Sequence, residues 1–418
     1  YLEIVDLAEK FYPEAKDKIA SVREYVSDPN HRWMRMINHI IDDADPHYAK
    51  MMLLNLGYES FFRGTKTIRE NRKKYNCNIP WLILFDPTMA CNMHCVGCWS
   101  GTYGRKSSLT YEQMDNIVTE GKELGAHLYM LTGGEPMVRK QDVLKLCEKH
   151  DDCFFVAYSN STLIDEELCQ DMLRVKNFVP AISLEGFETA NDSRRGDGCY
   201  NSVKRAMELL KKHKLPFGIS TCYTSVNYKD IASDEFFDLM IDAGALFCWF
   251  FHYMPVGNGA VKELFPTPEQ RAYVYHQIRK FRSEKPIFTM DFQNDAQYVG
   301  GCIAGGRRYL HINAKGDVEP CVFIHYSNCN IHNTTLLDAL RSPLFQAYHD
   351  NQPFNENMLR PCPMLENAGR IQELVKQSKA VNTDYESPED VDHLLEKTVP
   401  YAKNWKPMAD KLWDEQKK

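Results

Sequence analysis

Three absences narrow this sequence before any motif is read. It has no apolar run of about 18 residues, which excludes a membrane-spanning helix within it. It has no basic block, and 50 Lys+Arg against 57 Asp+Glu leave a net charge of −7, which speaks against a nucleic-acid partner. Cysteine is sparse, 14 of 418 residues, too few for a disulfide scaffold and mostly set in apolar segments. That usage fits a reducing compartment, so a cytoplasmic protein is expected, in which clustered cysteines serve metals or catalysis. The remaining composition is ordinary: 44% hydrophobic and 26% charged residues, with 22 Gly and 20 Pro, excludes disordered, collagen-like and low-complexity classes. At about 100–200 residues per domain the length allows two or three domains, or one barrel with additions. The chain opens on Tyr1 and not Met, so a removed signal or anchor would leave no trace in it.

Residues 1–78 read as helical, with apolar positions spaced three and four apart in 33–41 and 48–63. A packing cap is one reading of them, and a membrane-surface or partner-docking helix pair is the other. From Trp81 the pattern turns to short β runs at 81–85, 127–132, 153–158, 178–183, 217–223 and 246–253. Amphipathic helices near 110–124, 139–149, 165–175, 201–213, 233–243 and 267–282 alternate with them. Alternation of this kind predicts a parallel sheet with right-handed crossovers. The expected fold is therefore α/β, a partial (β/α)6 TIM-like barrel over 79–290, with functional groups at the C-terminal strand ends. After residues 287–291 the alternation stops. A hairpin, 308–313 and 318–324, is predicted around the Lys315–Asp317 turn within a cysteine-rich region 291–365, and a helical tail fills 366–418.

Just beyond the first strand stand Cys91, Cys95 and Cys98, a CxxxCxxC spacing. Three thiolates on one loop can hold three irons of a [4Fe–4S] cluster and leave the fourth open. An open iron can take the amino and carboxylate groups of S-adenosylmethionine (SAM). Zinc is the alternative, with His94 joining the three thiols, although zinc sites usually come as two separated ligand pairs. Gly133-Gly134-Glu135-Pro136 then follows the second strand directly.

These two motifs together resemble the radical SAM superfamily. The resemblance spans roughly residues 80–260 and implies reductive cleavage of SAM to methionine and a 5′-deoxyadenosyl radical. It implies that Gly133, Gly134 and Glu135 hold the methionine amino group, that Ser183 and Glu185 meet the ribose hydroxyls, and that Arg195 meets the carboxylate, the alternative being that Arg194 and Arg195 are a solvated pair. Asn160 stands where relatives carry Thr-Asn-Gly, but Ser161 replaces that glycine. Relatives often place an aromatic before the third cysteine; here Gly97 is there and Trp99 follows, so Trp99 is expected to cover the adenine. A flavodoxin- or ferredoxin-type electron donor is also implied.

Cys302, Gly316 and Cys321 resemble the opening of the SPASM and twitch subdomains of the same superfamily, which carry auxiliary iron–sulfur clusters. Cys362 is the natural third ligand and Cys329 a candidate fourth; the lack of further CxxC spacing favours a single auxiliary [4Fe–4S] cluster. Zinc at this set remains an alternative. The other cysteines read as small core hydrophobes, with Cys222 a candidate hydrogen-atom donor. His252 and Asp291 are candidate substrate residues, near Asn294 and Asp295.

The function expected is hydrogen abstraction from an unidentified substrate, with a lipid or small molecule favoured. A peptide-modifying maturase is the main alternative, and a non-catalytic iron–sulfur or zinc protein another. A glycyl-radical activase is disfavoured because the ferredoxin-like CxxCxxC sets of such enzymes are missing.

Overall fold

The computed structural model describes residues 16–416, together with Leu2, Val5, Asp6 and Glu9. Its frame is one nine-stranded sheet. β1 (Leu82–Thr88), β2 (Leu128–Gly133), β3 (Phe154–Ser159), β4 (Phe178–Ser183), β5 (Gly218–Tyr223), β6 (Phe247–His252) and β7 (Phe288–Asp291) run parallel in sequence order. Apolar side chains on both faces of these strands are buried, as expected of strands covered by helices on one side and a barrel interior on the other.

The helices between strands start and stop on local chemistry. Thr110 with Gln113, and Thr267 with Gln270, form capping boxes at the helices Tyr111–Leu124 and Pro268–Glu284. Asp165 and Ser233 cap the helices Glu166–Val175 and Asp234–Ala243. Gly125, in the left-handed conformation, ends the first of them and packs so closely on Gly64 that a Cβ would lie 2.8 Å from its carbonyl oxygen.

The six strands expected from the sequence are present, and the sheet extends past both ends of that set. β7 adds a seventh parallel strand on β6. On the other edge, β8 (Tyr309–Ile312) pairs in parallel with β1, and β9 (Val318–Glu319) pairs antiparallel with β8. The cysteine-rich region is thus built onto the barrel sheet. A further pair, β10 (Tyr326–Ser327) with β11 (Val381–Asn382), stands apart from it.

The N-terminal helices lie across the N-terminal ends of the strands. Asn55 donates to the carbonyls of Asp151 (2.7 Å) and Cys153 (2.9 Å), and the buried Tyr48 hydroxyl donates to that of Phe178. One face of Leu53–Gly64 stays exposed, with Leu53, Leu54, Tyr58, Phe61 and Phe62 in solvent, on the side away from the cysteine loop. Among the described residues no helix is long and apolar enough to cross a membrane. The C-terminal helix Val391–Gln416 closes the other flank. Its Trp405 is fully buried, donates to the Leu359 carbonyl at 2.9 Å and carries the Arg271 guanidinium 4.1 Å from its ring centre.

Candidate active site

The loop after β1 carries Cys91, Cys95 and Cys98 at the C-terminal edge of the sheet, and a cavity of about 220 Å³ opens against it. Gly133, Gly134, Glu135, Asn160, Ser183, Glu185 and Arg195 all line that cavity, brought in by the ends of β2 to β4 and the helix Glu188–Arg195.

The paired glycines do a structural task as well as leaving room. The amides of Gly134 and Glu135 donate to the carbonyls of Thr88 and Ala90, both at 2.9 Å. A Cβ on Gly134 would lie 2.2 Å from the Ala90 oxygen, so any side chain there would push the turn off the cysteine loop. Glu135 turns its carboxylate toward β3: it accepts from the Asn160 amide (2.7 Å), the Ser159 hydroxyl (3.0 Å) and the Met137 amide (3.1 Å). Burial nevertheless raises its pKa.

Glu185 is fully buried and takes both arginines, Arg195 at 2.7 Å and Arg194 on the same oxygen. Burial alone would raise its pKa, but the two guanidiniums reverse this and hold it low. Arg194 also donates through Nε to the Val96 carbonyl (3.1 Å), tying down the cysteine loop. Arg195 Nε and Glu185 Oε2 are buried without partners. An unmet donor beside an unmet acceptor fits a ligand that carries a carboxylate together with hydroxyl or ammonium groups, as SAM does.

Gly97 answers the question of the missing aromatic. Its φ is +65°, and a Cβ there would lie 2.8 Å from the Tyr253 ring. Tyr253, from the segment after β6, packs on the cysteine loop from across the barrel; sequence spacing gave no sign of it. Trp99 lines the cavity but sets its ring edge-on to His311 and Phe323, at 6.0 and 6.2 Å. His252 also lines it, yet both ring nitrogens are engaged, with the Tyr253 carbonyl (2.5 Å) and the Tyr401 hydroxyl (2.7 Å). Asp291 lies outside the cavity wall, fully buried, its pKa pushed up to about 6 by burial and by Asp295, with Asn294 donating to it at 2.7 Å. Cys222 lines the cavity at the end of β5.

The second set gathers Cys302, Cys321 and Cys362 around a neighbouring cavity of about 460 Å³. Burial pushes Cys302 and Cys321 up to about 12 and raises Cys362 well above the ordinary thiol value, so metal binding must displace their protons. Tyr309 donates to the Cys321 sulfur at 2.6 Å. The Tyr348 hydroxyl, fully buried within the field of all three thiols, has no partner. Converging thiols and an orphaned hydroxyl fit a cluster that supplies cations and acceptor sulfides together.

Cys329, the candidate fourth ligand, is set apart from these three. It lines no part of the cavity, and its thiol lies against Ser342, Ser327 and Asp317. The reason is local: its carbonyl accepts from the Val318 amide at 3.1 Å, which fixes it behind β9. A Cys329→Ala variant is expected to keep the full iron content and auxiliary-cluster spectrum; loss of about four irons, by iron analysis, would restore Cys329 as a ligand.

Among the described residues, His127, Asp152 and Cys153 place ligand atoms within 4.8 Å of one another at the opposite end of the barrel, where the Lys122 ammonium already sits 2.6 Å from Asp152.

A buried charge network joins the two regions. His311 on β8 meets Asp86 of β1 at 3.0 Å and Glu319 of β9 at 2.7 Å, and Tyr103 donates to Glu319 at 2.7 Å. Burial opposes the charge on His311, but Asp86 and Glu319 raise its pKa to about 10. Since the ordinary value is 6.5, this stabilisation is complete below about pH 6.5 and is lost as pH rises through about 10. The urea midpoint is expected to fall between pH 7 and 10, and nitrogen NMR should show His311 still protonated at pH 8. A neutral His311 at that pH would refute the assignment.

A partial parallel barrel with three thiols on its first loop, a carboxylate–arginine clamp opposite them and a second thiol set on an added hairpin defines a class that does redox chemistry on a bound cofactor. The sequence model of the Radical SAM superfamily matches residues 85–240, and that of the SPASM iron–sulfur cluster-binding domain matches residues 302–364. The chain belongs to the radical SAM superfamily, with a SPASM-type auxiliary region, and is an enzyme that generates a 5′-deoxyadenosyl radical from SAM at an iron–sulfur cluster. It is similar to the AdoMet-dependent heme synthase of Methanosarcina barkeri, 24% identical over 59% of this chain and 78% of that protein. Its fold is similar to that of Streptococcus suis SuiB bound to precursor peptide SuiA, with a TM-score of 0.57 and 19% identity over 72% of this chain and 74% of that one. It is also similar to anSMEcpe with bound AdoMet and a peptide, with a TM-score of 0.52 and 18% identity over 80% of this chain and 99% of that one.

Proposed function

We propose that the protein removes a hydrogen atom from a C–H bond of a peptide or protein side chain held between its two cysteine sets. The observation that carries this reading is the continuity of the two cavities: Met254, Phe292, Ile303, Tyr309 and Phe323 wall both of them. A substrate group seated there would lie between the radical source and the second set. When bound, the first cluster with SAM supplies the 5′-deoxyadenosyl radical, and an auxiliary cluster supplies an electron acceptor. The chain's own part is to clamp and to dry. Arg195 and Glu185 orient the cofactor, Arg194 holds the loop, and the apolar wall excludes water from a reactive carbon radical. An external one-electron donor of the flavodoxin or ferredoxin type completes the scheme.

The peptide class is supported by the likeness to SuiB and anSMEcpe, each solved with a peptide bound. One feature of this chain favours a second reading, in which the substrate is an apolar chain or small molecule: the larger cavity is walled mainly by apolar side chains and runs out of the barrel sideways.

The experiment that tests both is 5′-deoxyadenosine formation by anaerobically reconstituted, reduced protein given fractionated host extract. Stimulation by the peptide fraction supports the first reading. Stimulation by the lipid fraction alone replaces it with the second.

A further inference from the structure

The sheet order runs from β7 to β9 and does not close, so the barrel is open on the flank between β7 and the β8–β9 hairpin. The cavity of about 460 Å³ lies in this gap, and the auxiliary cluster held by Cys302, Cys321 and Cys362 would take the part of it next to those thiols. It follows β7 from Phe288 to Phe292, four residue steps of about 3.3 Å, or about 13 Å in all. Its inner end merges with the radical cavity at Met254 and Phe292. Its outer end carries apolar side chains in solvent: Phe288 is 40% exposed, Tyr298 65% and Val299 37%.

The three cysteines account for one wall only. Arg32, Trp33 and Phe288 come from the N-terminal helices and the start of β7, and the Trp33 and Phe288 rings lie 6.3 Å apart. Two cations stand in this lining. Arg282 is bound by both oxygens of Asp295, at 3.0 and 2.5 Å. Arg32 has no carboxylate within 4.0 Å among the described residues; its guanidinium lies 4.9 Å from the ring centre of Trp33. Burial and the nearby Arg282 both lower its pKa. The polar side chains further in are already engaged: Thr289 donates to the Ile287 carbonyl at 3.2 Å, and Gln293 accepts from the His252 amide at 2.9 Å.

We propose that this lateral cavity binds a single-chain amphiphile, its anionic head on Arg32 and its apolar chain running along β7 toward the radical site. The inference deepens the apolar-substrate reading and rests on it for the reaction, but not for the binding. The shared head chemistry is a carboxylate or phosphate; an apolar tail separates an amphiphile from a free anion.

Equilibrium dialysis of the reconstituted holoenzyme against palmitate, hexadecanol and inorganic phosphate tests the site. Palmitate is expected to bind saturably with one molecule per chain, hexadecanol about tenfold more weakly for want of one charge-assisted contact, and phosphate not measurably. Arg32→Gln should bring palmitate down to the hexadecanol level and leave hexadecanol unchanged, a split that misfolding would not produce. Phe288→Asp should weaken both alike with iron content retained. Absence of saturable palmitate binding, binding of phosphate as tight as palmitate, or equal weakening of palmitate and hexadecanol by Arg32→Gln would overturn the proposal. Deuterium passing from labelled palmitate into 5′-deoxyadenosine supports the site and the apolar-substrate reading together. Bound palmitate that yields no such transfer supports the site and removes the reading.

Discussion

Replacing Cys91, Cys95 and Cys98 together by alanine is expected to reduce 5′-deoxyadenosine formation to that of a protein-free control. No other group lining the cavity replaces three thiolates as iron ligands. His94 is exposed and lines no part of the cavity, and Asp86 is committed to His311. The variant should fold, because the loop is fixed from outside: the Val96 amide donates to the Arg194 carbonyl at 2.8 Å, Arg194 Nε donates to the Val96 carbonyl at 3.1 Å, and Arg105 donates to the Cys91 carbonyl at 3.0 Å. Iron content should fall by about four, leaving the auxiliary share. Retained SAM cleavage by this variant, measured by chromatography of the nucleoside, would overturn the assignment of the first site.

Replacement of Cys302, Cys321 and Cys362 should have the opposite profile. About four irons are lost, while SAM cleavage continues because Glu135, Glu185 and Arg195 are untouched. Conversion of substrate should stop, so nucleoside forms without product. Serine is the better substitution than alanine here, since Tyr309 donates to the Cys321 sulfur and a hydroxyl keeps an acceptor there. Unchanged iron content would return the second set to packing or to zinc.

Much of this arrangement was legible in the sequence because it is local. Short apolar β runs between amphipathic helices located β1 to β6, and CxxxCxxC followed by GGEP located the residues that line one cavity. What stayed hidden is made by chain-distant contacts. β7 is four residues long, and nothing in 309–312 marks it as a partner of 82–85. Gly97 read as a departure from an expected aromatic until Tyr253, more than 150 residues away, filled the space. Cys329 has the same chemistry as its neighbours, and only the hairpin's backbone pairing turns it away. His252 and Asp291 looked available because a sequence does not show that Tyr401 and Asn294 already hold them. The lateral cavity is assembled from an N-terminal helix, the last barrel strand and the hairpin, so no single segment announces it.

The parallel pairing of β8 with β1 has a consequence for how this protein is divided. The auxiliary region is not a module that hangs from a finished barrel. Leu82 to Phe85 align with Tyr309 to Ile312, so the first strand has its outer neighbour only after more than 200 intervening residues have been made. A fragment ending after β7 would present a bare, apolar β1 edge to other copies of itself, which is the geometry that invites aggregation. Trimming the molecule to its catalytic half should therefore give insoluble material, and the ribosome faces the same exposed edge each time it synthesises the chain.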